Sequence, residues 1–192
     1  MPGFSDLGQR NGDAHWRYDL DYFDVERWQA AWRKFNHAHG LDGGESSHWN
    51  WPAKVLHIGL GGDFLVAGFV DEANDRCHGL MKLIFPKESR LVPGRATAYV
   101  DYLEIAPWNR WGSPAHVEHP GLGTAFMRQA ARISRDLGFE GRLTLCSLPQ
   151  SEMFYRRKIS MIASGCGDGD DHMLTYFELE ASAAERFIEE FE

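Results

Sequence analysis

The stretch ATAYVDYLEIAPWNRWGSPAHVEHPGLGTAF, residues 96–126, decides the fold of this chain. Residues 96–106 are rich in Tyr and Val, which predicts a strand. A loop containing Pro, Gly and His follows, and the apolar spacing then predicts a helix over 123–137 that stops at Gly138. The next strand is predicted over 143–148. Because this strand–helix–strand order requires a crossover, the two strands are expected to be parallel neighbours.

Shorter elements are predicted around this unit. Upstream, a helix is expected from a cap at Asp24, and strands with short links follow, two of them flanking the hairpin signal Gly61-Gly62-Asp63. Downstream, a short helix capped by Ser151, a strand and a C-terminal helix are expected. The predicted helices cover 24–39, 151–158 and 181–191, and the predicted strands cover 54–59, 64–70, 77–85 and 173–179.

These elements predict an α+β fold in which helices flank a mixed sheet with one βαβ crossover. A length of 192 residues suits one domain, which we divide into an arm (1–22), a core (54–180) and a C-terminal helix (181–192). Residues 1–24 contain no apolar segment and no basic start, so no secretory signal is expected.

The charge balance limits the classes of partner. The chain has 20 basic and 28 acidic residues and a net charge of −8, which argues against a broad basic surface for nucleic acid and mildly favours a cationic partner. No apolar run approaches the ~18 residues of a membrane span. Cys77, Cys146 and Cys166 lie far apart, so neither a disulfide framework nor a thiolate zinc site is expected, and a cytoplasmic location is the default.

The sequence Gly121-Leu122-Gly123-Thr124 lies where the loop meets the predicted helix. Two glycines allow a ligand to approach the backbone closely, and a helix start offers unpaired N–H groups and the positive end of the dipole. Together they favour a phosphate or pyrophosphate site, although such a turn can also simply connect two elements. The loop is neither a Walker motif nor a complete Gly-x-Gly-x-x-Gly, because position 126 is Phe126.

Three motifs in this order resemble the GNAT superfamily of acyl-CoA-dependent N-acetyltransferases. They are a strand that ends in Pro (Leu103-Glu104-Ile105-Ala106-Pro107), the Gly-x-Gly helix, and a helix with Phe-Tyr after the next strand (Met153-Phe154-Tyr155-Arg156-Arg157). The resemblance covers residues 54–180 in element order, with its motifs within 103–161.

The resemblance implies acetyl-CoA as the acyl donor, and it implies a splayed strand pair. Backbone groups near the end of one strand would bond the pantetheine arm, the loop amides would hold the pyrophosphate, and Tyr155 would lie near the thioester sulfur as the acid for the leaving thiolate. By position, the pantetheine residues are Ile105 and Ala106, and the pyrophosphate residues are Gly121, Leu122, Gly123 and Thr124.

Two positions depart from the family pattern. Glu118 stands where an Arg or Gln is common, and Leu148 stands where an Asn is common. A carboxylate at 118 would repel phosphate, so Glu118 is expected to point away from the ligand. The loop 108–120 is also longer than the usual linker. These departures concern the geometry of the loop more than the fold.

Acylation of an amine requires a neutral nucleophile, donors for the oxyanion and stabilisation of the thiolate. Glu104 lies beside the pantetheine strand and is the first candidate for the general base, with Asp101 second; each could instead be a solvent-facing or paired carboxylate. The amide of Ile105 is the expected oxyanion donor. Tyr155 could instead be a buried aromatic whose hydroxyl is satisfied.

Other side chains leave two interpretations open. The basic run 156–158 can meet the 3′-phosphate of CoA or form a solvated helix face. The tryptophans can line an acceptor pocket and bind a cationic amine, or pack in the core and at a dimer interface. His37 and His39, with His48 and His57 further on, suit a helix end better than a metal. The tryptophans form three sequence pairs: Trp28 and Trp32, Trp49 and Trp51, and Trp108 and Trp111.

The sequence therefore predicts an N-acetyltransferase that moves an acetyl group from acetyl-CoA directly to the amine of a small molecule or peptide. The alternative is a GNAT-fold module without catalysis that binds acyl-CoA or a protein partner, and a third option is a scaffold that assembles through Trp-rich surfaces. No metal, nucleic acid or membrane is expected, and a homodimer is compatible with these features.

Overall fold

The computed structural model describes residues 14–43, 46–56, 63–168 and 173–190. Within these ranges seven strands form a mixed sheet in the order β1-β2-β3-β4-β5-β7-β6, and the predicted fold class is confirmed. The strands are β1 (Ala14–Arg17), β2 (Asp63–Asp71), β3 (Arg76–Glu88), β4 (Ala96–Ile105), β5 (Leu143–Ser147), β6 (Ile162–Cys166) and β7 (Thr175–Leu179). The helices are α1 (Tyr22–Ala38), α2 (Trp51–Leu56), α3 (Leu122–Asp136), α4 (Glu152–Phe154) and α5 (Ala181–Glu189).

Contacts along the chain group it into two compact units. The first contains the described residues up to 56, together with 65–82 and 102–122. The second contains the described residues of 59–64 and 83–101 and those from 123 onward. Strands β2, β3 and β4 therefore have residues in both units, and the single domain stays a prediction. Among the described helices, none is long and apolar enough to cross a membrane.

In the first unit, α1 packs through one apolar stripe. Its N-cap is Asp21, whose carboxylate accepts from the Asp24 amide at 2.8 Å, so the cap predicted at Asp24 is wrong by one turn. Val25, Trp28 and Trp32 are buried at helical spacing. Both indoles satisfy their N–H groups on the segment around β3: Trp28 Nε1 bonds Asp75 at 3.1 Å and Trp32 Nε1 bonds the Cys77 carbonyl at 3.0 Å.

The strand predicted over 54–59 is wrong for residues 54–56, which belong to α2. Asn50 caps this helix by accepting from the Ala53 amide at 3.1 Å. Pro52 occupies the first turn, where its missing N–H costs nothing. The glycines of the predicted hairpin, Gly61 and Gly62, lie outside the described residues.

The missing strand is replaced by β1, which lies inside the segment predicted as an arm. β1 pairs antiparallel with β2, from Ala14 opposite Asp71 to Arg17 opposite Gly68. Ala14 is buried, and the Trp16 ring packs on Phe69 with centroids 5.2 Å apart. Four residues are too short a run to produce a strand signal in the sequence.

In the second unit, the predicted crossover is confirmed. β4 and β5 are parallel, with Ala98 opposite Leu143 and Val100 opposite Leu145. The pairing thus involves three residues of each strand, although β4 has 10 residues and β5 has 5. Helix α3 lies between them in the chain and buries Phe126, Met127, Ala130, Ala131 and Ile133.

The C-terminal part of the second unit adds an antiparallel hairpin, of which β6 was not predicted. β6 is mostly exposed and contains Gly165 at a φ of +94°, so its apolar pattern is weak. The predicted helix over 151–158 is a 3₁₀ turn, the short α4 and a π-helical turn over Tyr155–Ile159. Ser151 makes no side-chain cap bond, so its predicted capping role is wrong.

Gly141 is required where the loop after α3 meets α5. Its φ is +76°, and a Cβ there would lie 2.9 Å from the Ala184 Cβ. We expect Gly141→Ala to lower the free energy of unfolding by roughly 3 kcal/mol, because positive φ costs about 1–2 kcal/mol and overpacking about 1–3 kcal/mol. Gly138→Ala is the matched control, since its φ is +84° but no atom lies within 4 Å of the added Cβ. Equal losses for both variants in urea unfolding would contradict the packing argument.

Candidate functional site

The end of β4 is held by contacts to its last two residues. The Ile105 carbonyl accepts from Arg110 Nε at 2.8 Å. The Ala106 amide donates to the His78 carbonyl on β3 at 2.9 Å. These bonds fix the course of the backbone at the two residues predicted to bind pantetheine, and the loop that follows begins with the 3₁₀ turn Pro107–Asn109.

Glu104 is the centre of a hydrogen-bond network. Its side chain is only 10% exposed and pairs with Arg110 Nη2 at 2.7 Å. Ser46 Oγ donates to the same carboxylate at 2.8 Å, and Trp51 Nε1 donates at 2.6 Å. Glu104 therefore joins β4, the start of α2 and the loop after β4. Its predicted role as a base stays a prediction, while the structure gives it an anchoring role that the sequence did not indicate.

His78 forms a second buried centre in the first unit. Its Nδ1 lies 3.3 Å from Trp108 Nε1 and 3.0 Å from Asn109 Nδ2, and both groups donate to it. Burial, reinforced by the positive charges of His119 and Arg76, lowers the pKa of His78 from 6.5 to about 4. The ring is therefore neutral at pH 7, as an Nδ1 that accepts two hydrogen bonds requires.

Glu118 lies close to His78 and is paired with a neighbouring arginine. It pairs with Arg76 Nη1 at 2.7 Å, and its expected orientation away from the ligand stays a prediction. The ligand atoms of His78, Glu118 and His119 lie within 4.8 Å of one another, a cluster that the sequence did not reveal. Within this cluster, Glu118 pairs with Arg76, and His78 Nδ1 accepts from Trp108 and Asn109.

The glycine motif begins α3, which starts one residue earlier than predicted. Gly121 has a φ of +79°, a conformation that favours glycine. Gly123 is different, because an added Cβ would make only an ordinary contact of 3.6 Å with Phe154. The first turn of α3 contains no acidic residue. The fold itself therefore does not require glycine at 123, and a helix start without carboxylates suits an anion.

Tyr155 lies at the start of the π-helical turn in the second unit. Its ring packs against Phe177 with centroids 5.9 Å apart, and its side chain is almost fully buried. Burial raises the pKa of Tyr155 from 10.0 to about 12. The phenol is therefore protonated at neutral pH, as a hydrogen-bond donor must be. In the same unit, Arg156 contacts Glu152 and the Phe177 ring, which gives this member of the basic run a structural use.

The tryptophan pairs separate into different environments. Trp28, Trp32, Trp51 and Trp108 are buried, while Trp111 is fully exposed and lines a pocket of about 410 Å³. Two of the predicted histidines have local partners: His37 bonds Asp42 at 3.1 Å and His39 bonds the Phe35 carbonyl at 2.8 Å. His57 lies outside the described residues. Cys146 is partly exposed.

Comparisons with known proteins support a fold and not a sequence family. No family model matches the sequence, and no curated protein matches it significantly. Solved structures match it at low identity. An acetyltransferase from Trypanosoma brucei is 22% identical, with 83% of this chain and 99% of that chain covered and a TM-score of 0.54.

Two further structures extend this likeness. A GNAT-family acetyltransferase from Staphylococcus aureus is 7% identical, with 88% and 99% covered and a TM-score of 0.58. A mutant of the AtaT toxin, bound to the C-terminus of the antitoxin AtaR and acetyl-CoA, is 13% identical, with 91% and 97% covered and a TM-score of 0.53. The chain therefore shares its mixed α+β fold with acetyltransferases. That fold is the GNAT fold, and the resemblance predicted from the motifs is confirmed at this level.

The neutral state of His78 has a consequence for acid stability. The folded pKa of about 4 lies below the usual 6.5. The stability that the neutral His78 ring contributes to the folded state is therefore fully present above pH 6.5 and is lost as the pH falls through 4. We expect His78→Gln to be less stable at pH 7 but to lose less of its remaining stability between pH 6.5 and 4. His37→Gln, at an exposed site, should keep the wild-type profile. Identical slopes for wild type and His78→Gln in urea titrations would refute the assignment.

Proposed function

We propose that this chain is an acyl-CoA-dependent N-acetyltransferase that moves the acetyl group of acetyl-CoA to an amine. The observation that carries the proposal is the start of α3: a glycine at positive φ, a second glycine that the fold does not need, and no acidic residue in the first turn. In a GNAT fold this helix start is the expected place for a pyrophosphate. The acetyl-CoA in the AtaT structure supports the choice of cofactor.

The hydrogen bonds that the backbone already makes limit which of its groups can bind the proposed cofactor. The amides of Gly121, Leu122, Gly123 and Thr124 would hold the pyrophosphate. At the end of β4, the Ile105 carbonyl and the Ala106 amide bond Arg110 and His78. The Ala106 carbonyl already accepts from the Asn109 amide at 2.9 Å. We therefore keep Ile105 and Ala106 as the proposed pantetheine residues and propose the Ile105 amide as the oxyanion donor. The short paired length of β4 and β5 supports a splayed strand pair.

The reaction is a direct transfer. The lone pair of the neutral amine attacks the thioester carbonyl, a C–N bond forms and the C–S bond breaks, and the amine proton leaves to a base. Glu104 is the proposed base. Three donors occupy three of the roughly four acceptor positions of a carboxylate. We therefore propose that Glu104 takes the proton through a water molecule at its remaining position.

Tyr155 is the proposed partner of the leaving thiolate. A thiol has an ordinary pKa of about 8.5. The phenol, with its pKa raised to about 12, is the weaker acid in the absence of ligand. Complete proton transfer would then be uphill, whereas a hydrogen bond from the phenol to the thiolate sulfur is favourable. We therefore propose that Tyr155 stabilises the leaving thiolate by a hydrogen bond from its phenol rather than by complete proton transfer.

Cofactor binding is tested at Gly123. Acetyl-CoA should raise the melting temperature of the wild type, and Gly123→Ala should weaken acetyl-CoA at least about tenfold, because the added methyl group blocks backbone approach to the phosphates. Its own melting temperature should not fall, since the Cβ fits. Ala125→Gly is the control: it should lower helix stability by about 1 kcal/mol and leave the affinity unchanged. No thermal shift with acetyl-CoA in the wild type would refute the cofactor assignment.

Catalysis is tested at Tyr155. Tyr155→Phe keeps the buried ring and removes only the hydroxyl, so we expect kcat to fall about 10- to 100-fold with little change in acetyl-CoA affinity. Thiol release in the presence of pooled amines measures this. Unchanged turnover would remove Tyr155 from the mechanism.

A binding module without catalysis is the second proposal. Glu118 and Leu148 depart from the family pattern, and the AtaT structure shows that a protein of this fold can bind a protein partner. Stabilisation by acetyl-CoA without thiol release across a broad amine panel would favour this alternative. Under both proposals we place the protein in the cytoplasm, because Cys77, Cys146 and Cys166 are free thiols.

A further inference from the structure

Three aromatic rings of the first unit form a cage, which we define as Trp49, Trp51 and Tyr102. The rings are nearly perpendicular to one another, at 78°, 79° and 73°, with centroids between 5.0 and 6.4 Å apart. Trp51 is completely buried, whereas Trp49 and Tyr102 are partly exposed. The three rings contact one another edge to face, and the partly exposed Trp49 and Tyr102 offer π faces that suit a compact cation.

The cage already holds a cation from the chain itself. Lys54 Nζ lies 3.1 Å from the centroid of the Tyr102 ring and 5.6 Å from that of Trp49. Lys54 belongs to α2, three residues after Trp51, so a short segment supplies both a ring and its occupant. This contact with the Tyr102 and Trp49 rings supports an ammonium as the group that the cage accepts.

The cage lies close to Glu104, the proposed base, both along the chain and through a hydrogen bond. Tyr102 and Glu104 are two residues apart on β4, so their side chains leave the same face of the strand. Trp51 bonds Glu104 through its indole N–H at 2.6 Å. The charge of Glu104 is balanced by Arg110, so the rings, and not a free carboxylate, select the cation.

We propose that this cage binds an alkylammonium group of the acceptor, and that Lys54 occupies it when no acceptor is present. The proposal rests on the proposed acetyltransferase function and names its substrate class: an acceptor with two amino groups. Ring faces stabilise the charged form of an amine and oppose its deprotonation. The caged ammonium must therefore stay charged, while a second amino group of the same molecule loses its proton and is acylated.

Lys54 makes the cage a competitive site. An acceptor binds only the fraction of molecules in which the lysine has left, so the apparent affinity of the cage is reduced by that fraction. Removal of the lysine side chain should reveal the intrinsic affinity. Lys54→Ala suits this purpose, because alanine is a good helix former and α2 is retained.

Binding is tested with tetramethylammonium chloride in isothermal titration calorimetry, with sodium chloride at the same ionic strength as the reference. We expect Lys54→Ala to bind the probe at least about tenfold more tightly than wild type, which is about 1.4 kcal/mol. Lys34→Ala, which removes an exposed lysine of α1, should bind like wild type. In the Lys54→Ala background, Tyr102→Phe should keep the binding and Tyr102→Leu should lose it. Equal affinities in Lys54→Ala and wild type, or binding that survives Tyr102→Leu, would overturn the proposal.

Turnover measurements then distinguish a failure of the proposed cage from a failure of the proposed acetyltransferase function. With acetyl-CoA, wild type should acylate 1,4-diaminobutane with a kcat/KM at least about tenfold above that for 1-aminobutane, and Tyr102→Leu should abolish the difference. Equal turnover of the two amines would overturn the cage and leave the acetyltransferase intact. Probe binding without acylation of either amine would support the cage and count against the proposed enzyme.

Discussion

The hydrogen-bond network of the nearly buried Glu104 carboxylate is the constraint on which the first unit depends. It accepts from Ser46 and Trp51 and pairs with Arg110, which also holds the Ile105 carbonyl. One charge thus connects the start of α2 to the last residues of β4 and to the loop that follows. Loss of one of these donors would leave the nearly buried carboxylate with fewer hydrogen bonds and would destabilise the segment. Any chemistry at the end of β4 therefore uses a backbone that this network has already positioned.

His78 holds the same segment as a neutral group. Glu104 is stabilised as an ion by its donors, whereas His78 must stay neutral so that Nδ1 can accept from Trp108 and Asn109. Its own carbonyl receives the Ala106 amide. The two residues before Pro107 are consequently held from both sides, by a charged centre and by a neutral one. This explains why a loop longer than usual can follow β4 while the strand end keeps a defined course.

The sequence predicted those features that local chemistry determines. The crossover from β4 through α3 to β5 follows from the order of the elements, and the glycine at 121 follows from the backbone it must adopt. The hydrogen-bond networks of Glu104 and His78 could not be predicted, because their members lie far apart in the sequence. Ser46 and Glu104, for example, are 58 residues apart, and nothing in their spacing indicates a contact. The error at α2 has a local cause. The signal Asn50-Trp51-Pro52 marks a helix start, but the apolar residues after it also fit a strand.

The net charge of −8 acquires a structural meaning from these contacts. A polyanionic cofactor in an acidic protein must be held by local dipoles, and α3 meets this requirement because its first turn contains no carboxylate. On the proposed acceptor side, the aromatic rings and a Glu104 paired with Arg110 would favour a cation without offering it an unpaired carboxylate. This distinction matters for catalysis, since an unpaired carboxylate would keep every nearby amine protonated. A cage that holds one ammonium by its π faces leaves the second amine free to become a nucleophile.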